Sequence, residues 1–235
     1  MLDEKRRVEI HAKEAGYAKG VMWYTTAYSG EIFTRYMIPG SVLELGPAEG
    51  VMTDILYPKF ADYTIVDGAD FFVDALKKKY PQIKAHKSLF EYFHTDILYE
   101  NIILGHVLEH VENPVEILKL CSQWLAPNGR ILSAVPNANS LHRQAAVKMG
   151  LLNTVHDLNE TDLRNGHRRV YDNTSFQQDF VSAGLKIIKS GGYWLKPLSN
   201  AQLERDWTED MITAYLKIGE LYPNIAAEIY VIAEK

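Results

Sequence analysis

The chain has 235 residues, 47% hydrophobic and 23% charged, with 30 acidic against 25 basic side chains and a net charge of −5. That length suffices for one sizeable core, and the acidic balance excludes the broad basic surface through which nucleic-acid binders gain affinity. Cys121 is the only cysteine, which excludes an internal disulfide and a thiolate metal site and leads us to expect a reducing, cytoplasmic setting.

The N-terminus MLDEKRRVEI is charged with no apolar signal core behind it, and no apolar run reaches the ~20 residues of a membrane helix. A soluble protein without a membrane partner is expected. Residues 1–38 read as a helical cap, with apolar and aromatic positions at Val8, Tyr17, Val21, Met22, Trp23, Tyr24 and Tyr28, closed by Pro39-Gly40. Strand-like and helix-like segments then alternate. SVLELG is a short buried strand, AEGVMTDILYPKF a helix ending near Pro58, DYTIVDG a second strand, and ADFFVDALKKKY a helix that stops before Pro81. IKAHKSLFEYF holds a weaker third strand and YENIILGHVLEH a fourth. NPVEILKLCSQWLAPNG reads as a helix with Pro114 in its first turn and Gly129 after its end, and GRILSAVPN as a fifth strand. Such alternation implies a parallel sheet covered by helices on both faces, whose ligands bind beyond the carboxyl ends of the strands.

Past Asn137 the regularity breaks. NANSLHRQAAVKMGLL is helical, and NTVHDLNETDLRNGHRRVYDNT is polar and weakly periodic, as lids and binding loops are. A helix (SFQQDFVSAGL), a strand with a Gly-Gly kink (KIIKSGGYWLKPL), a helical stretch around MITAYLKIGELY and a last strand (AAEIYVIAEK) complete the chain. With no repeat or linker, one domain is expected: the cap, a cofactor-binding half over 41–137, an acceptor insertion over 138–173 and the rest of the sheet over 174–235.

The loop after the first strand reads Glu44-Leu-Gly46-Pro47-Ala48-Glu49-Gly50. A dinucleotide fingerprint needs glycine where Ala48 and Val51 stand, and Glu49 would repel a pyrophosphate; a nicotinamide enzyme is disfavoured. The loop resembles the E/D-x-G-x-G-x-G motif of class I S-adenosylmethionine-dependent methyltransferases, whose backbone wraps the methionine part of a cationic cofactor. Ala48 departs from the usual glycine, and its methyl is tolerable if the backbone φ there is negative. Asp67 lies 21 residues beyond Gly46 and, followed by Gly68, resembles the family's ribose-binding acid. Leu89, Phe90 and Glu91 match the segment that meets adenine. IILGHVLEHVENPVEILK resembles the family's fourth strand, loop and helix, which implies a place for His106 at the strand end beneath the methyl group. APNG resembles the turn before the family's fifth strand, with Asn128 where a glycine is usual; Asn tolerates a left-handed backbone.

The resemblance spans Ser41 to Asn137. It implies a Rossmann-like, doubly wound α/β sheet of seven strands with the last antiparallel, N-terminal helices, and a helical lid insertion after the fifth strand. It also implies S-adenosyl-L-methionine as cofactor. Tyr17 and Tyr28 are placed to cover it in the manner of this fold's N-terminal helices.

The acceptor has to come from elsewhere. No base-amino motif follows the fourth strand and no Pro-Cys pair occurs, which argues against nucleic-acid substrates. His106 and Pro136-Asn137 stand where a catechol-type enzyme needs metal-binding carboxylates, so no metal is expected. The remaining polar set is His142-Arg143, His156 and Gly166-His167-Arg168-Arg169 with Tyr171. One reading is a solvated loop. The other is a lid in which Arg143, Arg168, Arg169 and Tyr171 bind the acceptor, anionic acceptors included, while His142 or His167 serves as base; His110 reads as a packing and capping residue. The expected activity is methyl transfer to a hydroxyl or carboxylate oxygen of a small molecule or modified peptide, with an amine of a sugar or amino acid as the alternative. A cofactor-binding protein without activity is the rival of a different class. A monomer or homodimer is expected.

Overall fold

The computed structural model describes residues 2–14, 16 and 18–235. Its strands are β1 (Val42–Leu45), β2 (Tyr63–Asp67), β3 (Lys84–Lys87), β4 (Tyr99–Gly105), β5 (Leu125–Pro136), β6 (Lys186–Tyr193) and β7 (Glu228–Glu234). They form one seven-stranded sheet in the order β3-β2-β1-β4-β5-β7-β6. β7 runs antiparallel to β5 and to β6, and the pairings from β3 through β5 are parallel. The strand order reverses between β1 and β4, which opens a crevice at their carboxyl ends.

Successive side chains leave a strand on opposite faces, and both faces here are apolar. Leu43, Leu45, Ile102, Leu104, Ile131 and Val135 point into one core, under α5 (Pro114–Trp124) and α8 (Asn173–Ser182). Val42, Ile65, Ile103, Leu132 and Ala134 point into the other, under α2 (Gly20–Thr34), α3 (Val51–Leu56) and α10 (Glu209–Gly219). Glu44 projects on that second side, an acid among hydrocarbons. The remaining helices are α1 (Leu2–Glu14), α4 (Asp70–Lys79), α6 (Leu141–Lys148), α7 (Glu160–Arg164) and α9 (Asn200–Asp206).

Helix starts follow their capping chemistry. Asn113 accepts from the Glu116 N–H and Pro114 opens α5, as the sequence leads one to expect. Capping boxes at Asn159-Asp162 and Asp172-Ser175 start α7 and α8 in the polar stretch that has no clear apolar period. One boundary differs: α5 ends at Trp124, and Leu125–Ala126 already belong to the strand. Burying Leu125 beside Tyr99 in the sheet outweighs continuing a helix toward Pro127. Asn128 holds φ +62 at the ensuing turn, the left-handed backbone that its side chain tolerates.

Candidate active site

The crevice at β1/β4 widens into a cleft with about 1140 Å³ of empty space, its solvent-open mouth included. β1 delivers Glu44 to its floor, and the chain then turns through Gly46 and Ala48 at φ +65 and +48. Gly46 takes its positive φ without strain, and a Cβ there would come 2.9 Å from Val107 Cγ2 and force that side chain to shift. Ala48 corrects the sequence reading: its φ is positive, so the methyl is held in a strained left-handed conformation. The strain is held in place by Asp67, whose Oδ2 accepts from the Ala48 N–H at 3.2 Å while Oδ1 accepts from Ala69 at 2.8 Å. Gly50, at φ +82, caps α3 over Leu76 and does not border the cleft.

Two carboxylates in this wall are buried. Burial pushes Glu44 up to about 7, against the lowering effect of the Thr53 and Tyr63 hydroxyls that donate to its Oε2. Asp67 is pushed up to about 6 by burial, in spite of its two backbone donors. Carboxylates this poorly solvated fit a ligand that brings positive charge and hydroxyl donors, and they oppose a pyrophosphate. Pro47 and Gly68 border the same cleft, as do Leu89, Phe90 and Glu91 at the 3₁₀ turn after β3.

The cover comes from the expected N-terminal cap, through its first helix α1. Arg7, Val8, His11 and Ala12 of α1 border the cleft. Arg7 donates to the carbonyls of Gly166 and His110 at 3.2 and 2.9 Å, and Glu4 pairs with Arg168 at 2.7 Å. Tyr28 does not take part: its hydroxyl donates to Glu220 and its ring packs on Tyr193 in the core. Tyr17 lies outside the described residues.

At the far end of β4, His106 borders the cleft at φ +57. Its Nδ1 lies 3.7 Å from Glu109 and 3.7 Å from Glu228, and its Nε2 lies 3.3 Å from the Tyr193 hydroxyl. Burial works against its charge, but the two carboxylates win and hold its pKa above the usual 6.5. Glu109 is 1% exposed, and burial pushes Glu228 up to about 7. Glu228 comes from the last strand, 122 residues from His106 in the chain (228 − 106). The only cue to it was an acid at the head of an otherwise apolar strand.

The arginine clamp of the sequence reading is not assembled. Arg143 is buried and spends its guanidinium inside the protein, on Asp162 at 3.0 Å, on the Val155 carbonyl at 2.9 Å and on the Asp157 carbonyl. Arg169 donates to the carbonyls of Leu108, Val111 and Glu112, and Arg168 to that of His110. These are backbone-satisfying bonds that fasten the 138–173 segment to the loop after β4. Tyr171 is buried against Phe176 and donates to Asp179. His142 does not border the cleft, and burial together with the Lys196 and Arg143 charges lowers its pKa to about 2, too weak a base for the role given to it. His167 sits behind the cleft wall, its Nδ1 3.2 Å from Asp162 Oδ1 and its ring edge-on to His110. His110, read as a capping residue, is the one of this group that borders the cleft.

A model for the family described as "Methyltransferase domain" matches residues 31–190. The chain belongs to this family. Together with the sheet order, that makes it a class I methyltransferase that uses S-adenosyl-L-methionine. No curated protein matches it in sequence. An S-adenosylmethionine-dependent methyltransferase from Mesorhizobium loti shares the fold at 14% identity and a TM-score of 0.62, over 88% of this chain and 98% of that one. A Thermotoga maritima methyltransferase, described as a possible histamine N-methyltransferase, covers 100% of this chain and 96% of its own at 12% identity and a TM-score of 0.64. A glycopeptide N-methyltransferase solved with S-adenosyl-L-methionine covers 88% of this chain and 86% of its own at 14% identity and a TM-score of 0.59. Among the described residues no helix is long and apolar enough to cross a membrane.

Proposed function

We propose that this methyltransferase acts on a hydroxyl oxygen of a small molecule or modified peptide, and that His106 accepts the proton. The observation that carries this reading is the placement of His106 at the cleft end of β4, with two buried carboxylates behind its ring. They keep the imidazole basic enough to take a proton near neutral pH. Glu44 and the Gly46–Ala48 backbone would hold the methionine part of the cofactor, Asp67 the ribose hydroxyls, and Leu89 to Glu91 the adenine. When bound, the cofactor supplies an electrophilic methyl carbon. The chain's own work is to align the acceptor with that carbon, to exclude water under α1, and to remove the proton at the His106 imidazole.

A carboxylate acceptor is disfavoured because Arg143, Arg168 and Arg169 are bound to protein groups. An amine is the second reading, favoured by Glu109 and Glu228, whose negative charge would hold an ammonium beside His106. The test is transfer of a labelled methyl group to matched panels of alcohols and amines, with the product bond assigned by NMR. His106→Ala should lower kcat by ~10²–10⁴-fold with a smaller change in KM. A variant that keeps nearly full kcat would overturn the assignment of the base.

A further inference from the structure

At the cleft wall three side chains converge, of which the transfer reaction as read above uses only the charge of Glu109 behind His106. Glu109 follows β4, His110 is its neighbour, and His167 arrives from 57 residues further along (167 − 110). Bonds to main-chain carbonyls bring them together: the Arg168 backbone N–H donates to the Glu109 carbonyl at 2.8 Å, and the His110 carbonyl accepts from the Arg7 and Arg168 side chains. One ligand atom from each of Glu109, His110 and His167 lies within 4.8 Å of the others, the one such group of three among the described residues. We propose that Glu109, His110 and His167 form a binding site for a divalent transition-metal ion such as Zn²⁺ or Co²⁺.

Three observations support it. Both carboxylate oxygens of Glu109 are buried and accept no hydrogen bond from the protein, an expensive arrangement for an acid unless a cation supplies the charge. His106 does not satisfy it, since its nearest nitrogen stays 3.7 Å away. Next, Asp162 stands 3.2 Å behind His167 Nδ1 and is itself fixed by Arg143 at 3.0 Å. Asp162 therefore puts a negative charge beside the His167 ring, although His167 Nδ1 itself makes no hydrogen bond, and second-layer carboxylates of this kind are common around metal-bound imidazoles. Finally, two imidazoles and a carboxylate are a donor set that transition dications prefer over Ca²⁺ or Mg²⁺, and metal–ligand bonds of ~2.0–2.2 Å need only a small inward turn of the rings. Of the three, His110 borders the cleft, which brings the site next to the space the acceptor would enter. An acceptor oxygen bound there would be acidified as it enters; this role rests on the hydroxyl reading above, whereas the metal site itself does not.

The experiment titrates chelator-treated full-length protein with Co²⁺, reading visible d–d absorption and the cobalt retained per chain after gel filtration. One tightly held Co²⁺ per chain is expected, displaced by Zn²⁺, with affinity at least tenfold weaker in Glu109→Gln and in His167→Asn. His142→Asn, outside the site, should bind as the parent does. Circular dichroism and S-adenosylhomocysteine titration of each variant separate loss of the site from loss of the fold, and His167→Asn serves if Glu109→Gln does not fold. No retained cobalt, or equal retention in both ligand variants, would overturn the proposal. Retained cobalt without any effect of metal on alcohol methylation would leave the site standing and refute its part in acceptor binding.

Discussion

Replacing Glu44 by Gln should make the protein more stable and poorer at holding its cofactor. Glu44 is 2% exposed, and its Oε2 accepts from Thr53 Oγ1 at 2.7 Å and Tyr63 Oη at 2.8 Å. A Gln side chain is nearly isosteric and its carbonyl oxygen can keep both bonds, so the substitution removes chiefly a buried charge. Burial raises the carboxyl from its ordinary 4.5 to about 7 in the folded chain. A group with a raised folded pKa contributes its stability below the unfolded value and loses it as the pH climbs through the folded one. For Glu44 the window therefore runs from 4.5 to about 7. At 1.36 kcal/mol per pH unit the loss by pH 8 is about 3 kcal/mol. The amide does not titrate, so its advantage should be small near pH 5 and reach about 3 kcal/mol at pH 8, or ~6–12 °C in Tm for a chain of this size. Urea unfolding of both proteins between pH 5.5 and 8.5 measures this. Calorimetry with S-adenosylhomocysteine measures the other half, where loss of a charge-assisted bond to the ligand's ammonium should weaken binding roughly 10–100-fold. Parallel pH profiles for the two proteins would refute the burial argument. Undiminished affinity would refute the assignment of Glu44 to the methionine end.

The rate of methyl transfer should rise with pH through a midpoint above the ordinary histidine value, because His106 accepts a proton only when neutral and the carboxylates beside it raise its pKa; Glu228→Gln should move that midpoint down in a pH–kcat profile. Arg143→Ala should cost ~3–5 kcal/mol of stability in urea unfolding, since it strands a buried Asp162, and a pure KM effect would restore the clamp that the contacts deny. Asn128→Ala should cost about 1 kcal/mol for placing Ala at φ +62, whereas Asn128→Gly should be close to neutral by the same measurement.

What the sequence determined by itself was local chemistry. Strands buried on both faces announce themselves as apolar runs, and a bare loop between a strand and a helix can be read in a dozen residues; Glu44, Gly46, Asp67, Leu89 and His106 accordingly border one cleft. Capping signals likewise placed the start of α5. The sign of φ at Ala48 could not be read this way, because it depends on Asp67 pulling the loop inward from another strand.

The acceptor side was decided by tertiary structure alone. An arginine-rich run looks the same whether its guanidiniums face a ligand or the protein's own carbonyls; only the folding of 138–173 on itself spends Arg143, and only its docking onto the loop after β4 spends Arg168 and Arg169. His142 was a credible base until burial beside two cations removed its basicity. Glu228 reaches His106 through an antiparallel strand added at the end of the chain, and Glu109 meets His167 across a main-chain bond between distant segments. A site spread over β4, the 138–173 segment and β7 has no spacing in sequence, because the separations are set by how the chain folds back and not by the period of any one element.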